Sequence, residues 1–250
     1  AGKLIESSML KRKMILLKSR IIPVNKDILK STSKKEQLSI KQWIFKTPNN
    51  ANSEEIEKDI HDALLEIESK AFTSKNLDGL YPLSLSTKIQ VLKGRLNANE
   101  LIPYFLDLQD KKHKIHTLYF HTRFSTNTDP HPSMAQPFRL MAHNGELNTD
   151  KKNRLSENAI YRAKKKKIIR PKGQSDSCRL DQTLKNRIVE DDLDIVSAVV
   201  SMVPPAWEND DTLSEKVKAM FEYFSLYEEK NDGPAALIFG DGDIIGARLD

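Results

Sequence analysis

In the first half of the chain, apolar residues recur at helical spacing in some segments and alternate with polar residues in others. The first pattern predicts helices and the second predicts strands. In residues 52–72 they recur at helical intervals behind Asn52 and Glu55, which have the spacing of a capping box. We expect an amphipathic helix there, covering a sheet. Alternation of apolar residues with serines in residues 83–91 predicts a β-hairpin, and residues 97–108 predict a further helix.

Strands and loops are expected in the middle of the chain. Residues 115–121 are rich in β-forming side chains and predict a strand that delivers Arg123 just past its end. Hydroxyl side chains and prolines in residues 125–137 predict a loop. Residues 140–148 contain Asn-Gly beside apolar residues, which predicts a second hairpin.

The last third of the sequence predicts helices followed by strands. Ser175 is placed to cap a helix, and residues 194–203 and 217–224 have the apolar spacing of two more. Residues 235–249 predict a closing hairpin. Strands towards both ends with helices between them indicate a layered α+β fold, and we expect residues 1–250 to form a single domain.

Composition narrows the class of protein. With 38% hydrophobic residues in 250, the chain is long enough to bury a substantial core, and no apolar run approaches the roughly 20 residues that cross a bilayer. We expect neither a membrane partner nor secretion. Cys178 is the single cysteine, which excludes an internal disulfide or a multi-cysteine metal site within these residues and favours a reducing compartment.

The net charge of +5 is concentrated in two segments. Residues 1–35 hold ten Lys/Arg against two acids, and residues 151–172 hold ten against one. We expect segments 1–20 and 151–172 to be poorly ordered. A phosphate-binding role is one interpretation, but few aromatic residues interleave with the lysines, so we expect no nucleic-acid partner.

Arg123 is the first candidate for chemistry. A guanidinium at a strand end can grip a ligand carboxylate through two parallel hydrogen bonds, although most arginines are solvated or pair with a neighbour. Asn144 and Gly145 are the second candidate, because an amide NH₂ and a glycine N–H can together stabilise an oxyanion. The same dipeptide is also an ordinary hairpin signal.

Asp176 is the third candidate. At the start of a helix a carboxylate is favoured by the helix dipole, which alone explains its presence, but it can also hold a substrate ammonium group. Taken together, Arg123, Asn144 with Gly145, and Asp176 supply a carboxylate binder, an oxyanion hole and an ammonium binder. That combination fits an α-amino acid with a side-chain carbonyl.

The motifs that carry these residues resemble the glutaminase domain of glutamate synthase, a class II glutamine amidotransferase. They are, in order, HTRFSTNT from His121, AQPFR from Ala135, HNGELNT from His143 and SDS from Ser175. Shorter similarities occur at Pro204 to Trp207, at Asp232 to Ala236 and at Gly246 to Asp250, so the resemblance covers most of the chain from about Ile21 onward.

The resemblance implies a fold, a ligand and partners. The fold would be the four-layer αββα sandwich of N-terminal-nucleophile hydrolases, incomplete at the N-terminus. Arg123 would bind the α-carboxylate of L-glutamine, Asp176 its α-amino group, and Asn144 with Gly145 the oxyanion. The ammonia released would pass to a synthase domain of the same polypeptide and react with 2-oxoglutarate to form glutamate. FMN and an iron–sulfur cluster would belong to that full-length enzyme, and its compartment would be the cytoplasm or a plastid.

One feature departs from the family pattern. The nucleophile of that family is an N-terminal cysteine, whereas residue 1 is Ala1 and residue 2 is Gly2. We therefore interpret the chain as an internal fragment and predict negligible glutaminase activity for residues 1–250 alone. We do not expect Cys178, with His143 or His121 as base, to substitute, since a free cysteine is most often a small buried hydrophobe. The alternative is a non-catalytic glutamine-binding or scaffold module.

Overall fold

The computed structural model describes residues 1–122, 135–147, 150–165, 175–227, 231 and 233–249, and it divides into two compact units, Ala1–Gln136 and Pro137–Asp250. Helices and antiparallel strands occur in both units, as expected for mixed α and β structure.

The described residues of the first unit form four helices and a two-stranded sheet. The helices are α1 (Gly2–Leu10), α2 (Ser31–Lys35), α3 (Ser53–Thr73) and α4 (Leu101–Tyr104). The strands are β1 (Ile15–Ile21) and β2 (Lys41–Lys46), which pair antiparallel with an irregularity between Leu16 and Lys18. Short 3₁₀ turns lie at Lys26–Ile28, Lys75–Leu77, Ala98–Glu100 and Leu106–Gln109.

Two apolar clusters of described residues stabilise the first unit. One joins α1 to α3 and to the sheet through Met9, Met14, Ile60 and Ala63, with Phe45 of β2 packed against them. The other consists of Ile22, Leu29, Tyr104 and Phe105. Because each cluster combines side chains distant in the sequence, the burial of apolar surface fixes how these elements pack.

The part of the second unit that the structure describes forms four helices and a three-stranded sheet. The helices are α5 (Asp150–Ala163), α6 (Asp176–Glu190), α7 (Ile195–Met202) and α8 (Glu215–Tyr227). The strands are β3 (Met141–His143), β4 (Ala236–Gly240) and β5 (Ile245–Leu249), in the order β3-β4-β5 and all antiparallel.

Several sequence predictions are confirmed. Helix α3 begins after Asn52, whose side chain accepts from the Glu55 N–H while the Glu55 carboxylate accepts from the Asn52 N–H, a complete capping box. Ser175 caps α6 through the Cys178 N–H. Helices α7 and α8 and the closing β4-β5 hairpin also lie where the apolar spacing predicts them.

Other predictions are wrong. Residues 83–91 form no hairpin: the Ser84 hydroxyl accepts from the Val91 N–H and the Ser86 hydroxyl from Lys88 and Ile89, so side-chain oxygens replace a strand ladder. Residues 115–121 form no strand, and residues 97–108 form short helical turns instead of one helix. Strand β3 pairs with β4 and not with a neighbouring hairpin strand.

The described residues include all of the first basic segment and only part of the second basic segment and of the predicted loop. Residues 1–20 contain α1 and most of β1. Of residues 151–172, the stretch up to Ala163 belongs to α5, and residues 166–172 lie outside the described residues, as do residues 125–134 of the predicted loop.

Candidate functional site

Asn144 and Gly145 directly follow β3. The Asn144 N–H donates to the Ala236 carbonyl at 2.9 Å, and the Ala236 N–H donates to the Asn144 carbonyl at 3.1 Å. The sheet ladder therefore continues through the backbone of Asn144, and both Asn144 and Gly145 are exposed. A backbone fixed in this way holds an amide side chain and a glycine N–H at the sheet edge.

Gly145 passes very close to the segment before β4. A Cβ atom at this position would lie 2.0 Å from the Pro234 carbonyl oxygen and 2.8 Å from the His143 Nε2 atom. The same carbonyl accepts a hydrogen bond from the Glu146 N–H at 3.1 Å. Glycine is required here by the lack of space, since the backbone conformation itself is ordinary.

Asp176 is the first residue of α6, and its two carboxylate oxygens have different surroundings. Oδ1 accepts from the Ser177 N–H at 2.6 Å and from the Ser177 hydroxyl at 3.1 Å. Oδ2 accepts only a long hydrogen bond, 3.4 Å, from the Leu147 N–H among the described residues. The second oxygen therefore faces the segment that contains Asn144 and Gly145 and retains most of its capacity to accept hydrogen bonds.

Two further contacts join α6 to β3. Asp181, which is 2% exposed, accepts through Oδ1 from the Leu140 N–H at 2.7 Å and from the Met141 N–H at 3.2 Å. The Ser177 hydroxyl lies 2.8 Å from the His143 Nδ1 atom. These contacts and the Leu147 bond bring the start of α6 together with the end of β3, so two of the three predicted site components meet.

His143 is buried inside this junction. Burial lowers the pKa of its imidazole, while the nearby Asp176 carboxylate and the Pro234 carbonyl act in the opposite direction. Because burial is the largest contribution, the ring is mainly neutral near pH 7 and carries one N–H hydrogen.

Arg123 lies outside the described residues, so its prediction as the carboxylate binder remains a prediction. Cys178 is 2% exposed and lies in the first turn of α6, as expected for a buried small side chain. Sequence reasoning did not identify Ser177 or Asp181 as contributors to the site, nor His143 as a support for it. All three lie in or beside the quoted motifs, but their contacts depend on how α6 packs against β3.

In the described part of the chain, no group of three or more His, Cys, Asp or Glu side chains is arranged to hold a metal ion. No helix in the same residues is both long and apolar enough to cross a membrane.

Comparison with known proteins agrees with the motifs. A family model described as glutamine amidotransferases class-II matches residues 1–250. Ferredoxin-dependent glutamate synthase from Oryza sativa subsp. japonica is 33% identical over 92% of this chain. Ferredoxin-dependent glutamate synthase 1 from Arabidopsis thaliana is 32% identical over 100% of this chain. NADH glutamate synthase from Saccharomyces cerevisiae is 36% identical over 68% of it. The chain spans 15%, 16% and 8% of these three relatives.

Proposed function

Because this chain belongs to the class II glutamine amidotransferases, we propose that it binds L-glutamine and forms part of the site that hydrolyses it. The observation that carries this proposal is the junction between α6 and β3, where Asp176 is hydrogen-bonded to the segment that contains Asn144 and Gly145. A carboxylate bonded to a segment that carries an exposed amide suits a ligand that has an ammonium group at one end and a carbonyl at the other.

Each residue has a proposed role. Asp176 Oδ2 accepts hydrogen bonds from the α-ammonium group of glutamine. The Asn144 amide and the Gly145 N–H donate to the side-chain carbonyl oxygen and stabilise the negative charge that develops on it during attack. Arg123 binds the α-carboxylate through its guanidinium.

The activity of the whole protein is also a proposal. The relatives are glutamate synthases, and this chain matches only a small share of each. We propose that the ammonia released here is transferred to 2-oxoglutarate by a synthase domain of the same polypeptide, where FMN and an iron–sulfur cluster belong. The four-layer αββα sandwich is likewise proposed, and it is supported by the helices that pack against the strands of each unit.

We propose that these 250 residues do not supply the nucleophile. Their one thiol, Cys178, is 2% exposed inside α6, whereas a reactive cysteine needs an accessible and electropositive setting. We therefore propose glutamine binding without turnover for residues 1–250 alone. The same observation favours the second candidate function, a non-catalytic glutamine-binding or scaffold module, if the natural protein has no such nucleophile.

Glutamine-dependent thermal stabilisation of the natural protein tests the binding site. L-Glutamine should raise Tm, and Arg123→Ala and Asp176→Ala should each abolish most of the increase, because each leaves one charge of the zwitterion without its partner. Asp211→Ala is the matched control, since that carboxylate is fully exposed in the same unit as Asp176. A Tm increase that survives Asp176→Ala would disprove the assignment, and no increase in the unchanged protein would disprove glutamine binding.

A further inference from the structure

Ser177 is placed between the proposed ammonium binder and a buried histidine. Its hydroxyl oxygen lies 3.1 Å from Asp176 Oδ1 and 2.8 Å from His143 Nδ1, and its side chain is buried. A hydroxyl has one hydrogen to donate. If the hydroxyl donates that hydrogen to the Asp176 carboxylate, the Nδ1–H of His143 is the donor in the contact with Ser177, whereas in the other tautomer the hydroxyl donates to Nδ1.

We propose that His143 and Ser177 are positioning residues for glutamine binding: the His143 Nδ1–H donates to Ser177, Ser177 donates to Asp176 Oδ1, and Oδ2 is thereby presented to the ligand ammonium group. This inference rests on the proposed function. It deepens that proposal by assigning the two Asp176 oxygens different roles, one structural and one for the ligand.

The asymmetry of the Asp176 carboxylate supports the proposal. Oδ1 has two short donors from Ser177, whereas Oδ2 has only the 3.4 Å contact with the Leu147 N–H among the described residues. Without the hydroxyl, Oδ1 keeps only the backbone N–H of its neighbour, and the carboxylate loses one of the two bonds that fix its plane. The hydroxyl therefore helps to hold the carboxylate with its other oxygen towards the ligand.

The His143 imidazole contacts Ser177, which is bonded to the proposed ammonium binder, and lies beside the proposed oxyanion hole. Its Nδ1 edge contacts Ser177, and its Nε2 atom lies 2.8 Å from the place where a Cβ of Gly145 would stand. His143 thus packs directly beside the proposed oxyanion hole while it supports the ammonium binder. The Pro234 carbonyl lies beside the same place and is a second acceptor for the ring hydrogen, so the tautomer of His143 decides whether Ser177 can donate to Asp176.

The tautomer is the first measurement. In ¹⁵N NMR spectra of the natural protein labelled at histidine, with the His143 signals assigned by their loss in His143→Gln, Nδ1 should be protonated and Nε2 bare. A bare Nδ1 would overturn the proposal, because Ser177 would then donate to His143 and not to Asp176. This readout does not depend on glutamine.

Ligand discrimination is the second measurement. Ser177→Ala should weaken L-glutamine binding by about five- to tenfold, the scale of one misplaced charge-assisted hydrogen bond, and Ser177→Thr should restore most of the affinity. Binding of 4-carbamoylbutanoate, which is glutamine without its α-amino group, should change less than about twofold. Ser201→Ala is the matched control, a buried hydroxyl of α7 that donates to the Ala198 carbonyl.

The outcomes separate the two proposals. Equal weakening of both ligands by Ser177→Ala would indicate a purely structural role, and unchanged glutamine affinity would show no role; either result overturns the inference and leaves the proposed function standing. If the unchanged protein binds no glutamine at all, the proposed function fails and the positioning role fails with it.

Discussion

At Gly145 the backbone passes too close to Pro234 for any side chain to fit. The built Cβ position lies 2.0 Å from a backbone carbonyl, and that carbonyl is itself held by the Glu146 N–H. We predict that Gly145→Ala forces residues 144–146 away from β4 and lowers the free energy of unfolding by about 1–3 kcal/mol, the usual cost of overpacking. Urea unfolding of the two proteins measures this difference.

Gly2→Ala is the control for that substitution. The nearest atom to a Cβ at Gly2 is 3.7 Å away, an ordinary contact, and alanine favours the helix in which Gly2 lies. Its free energy of unfolding should be unchanged or slightly higher. An equal loss of stability in both variants would mean that the close approach at Gly145 is not the cause.

Sequence reasoning at the residue scale identified the side chains that can touch a ligand but not those that support them. Asn144, Gly145 and Asp176 carry functional groups whose chemistry can be read from the residue type. The support from Ser177, His143 and Asp181 depends on contacts between residues 34 to 41 positions apart. A serine or a buried carboxylate has no such role until the packing of α6 on β3 is known.

Helices and strands could be predicted where the residues of one short segment are enough to specify them. Helix α3 follows from apolar spacing and a capping box, both within one segment. Strand β3 could not be assigned its partner, because His143 pairs with Leu237, about ninety residues later, and no local pattern records that pairing. The Asn-Gly dipeptide predicts a hairpin locally, but here the backbone of Asn144 continues the ladder with Ala236 instead.

Helices α1 and α3 are joined by an ion cluster around Glu66. Its carboxylate accepts from Lys11 at 2.6 Å, and from Lys70, Arg12 and Ser8 at 3.0–3.2 Å. The Lys11 contact is the largest of the causes that lower the pKa of Glu66 from 4.5 to about 2. A carboxylate with a lowered pKa stabilises the fold fully above its unfolded pKa, and this contribution is lost as the pH falls from about 4.5 to about 2.

Glu66→Gln should remove that pH dependence. After allowance for solvent screening, since the Lys11 side chain is 60% exposed, the contribution at pH 7 is about 1 kcal/mol. The difference in urea-unfolding free energy between the unchanged protein and Glu66→Gln should shrink as the pH is lowered from 5 to 2. A difference that does not change with pH would contradict the assignment.

At the scale of the whole molecule, we expect residues 1–250 to bind glutamine without hydrolysing it. Residues 1–250 contain the proposed contacts for glutamine, but their one thiol is buried in α6. A polypeptide of these residues should gain thermal stability with L-glutamine and release no ammonia above a glutamine-only blank, because no activated nucleophile is present to form a thioester. Both readouts are made on one sample. Ammonia release that survives Cys178→Ser would reveal a different nucleophile, and release abolished by that substitution would make Cys178 catalytic despite its burial.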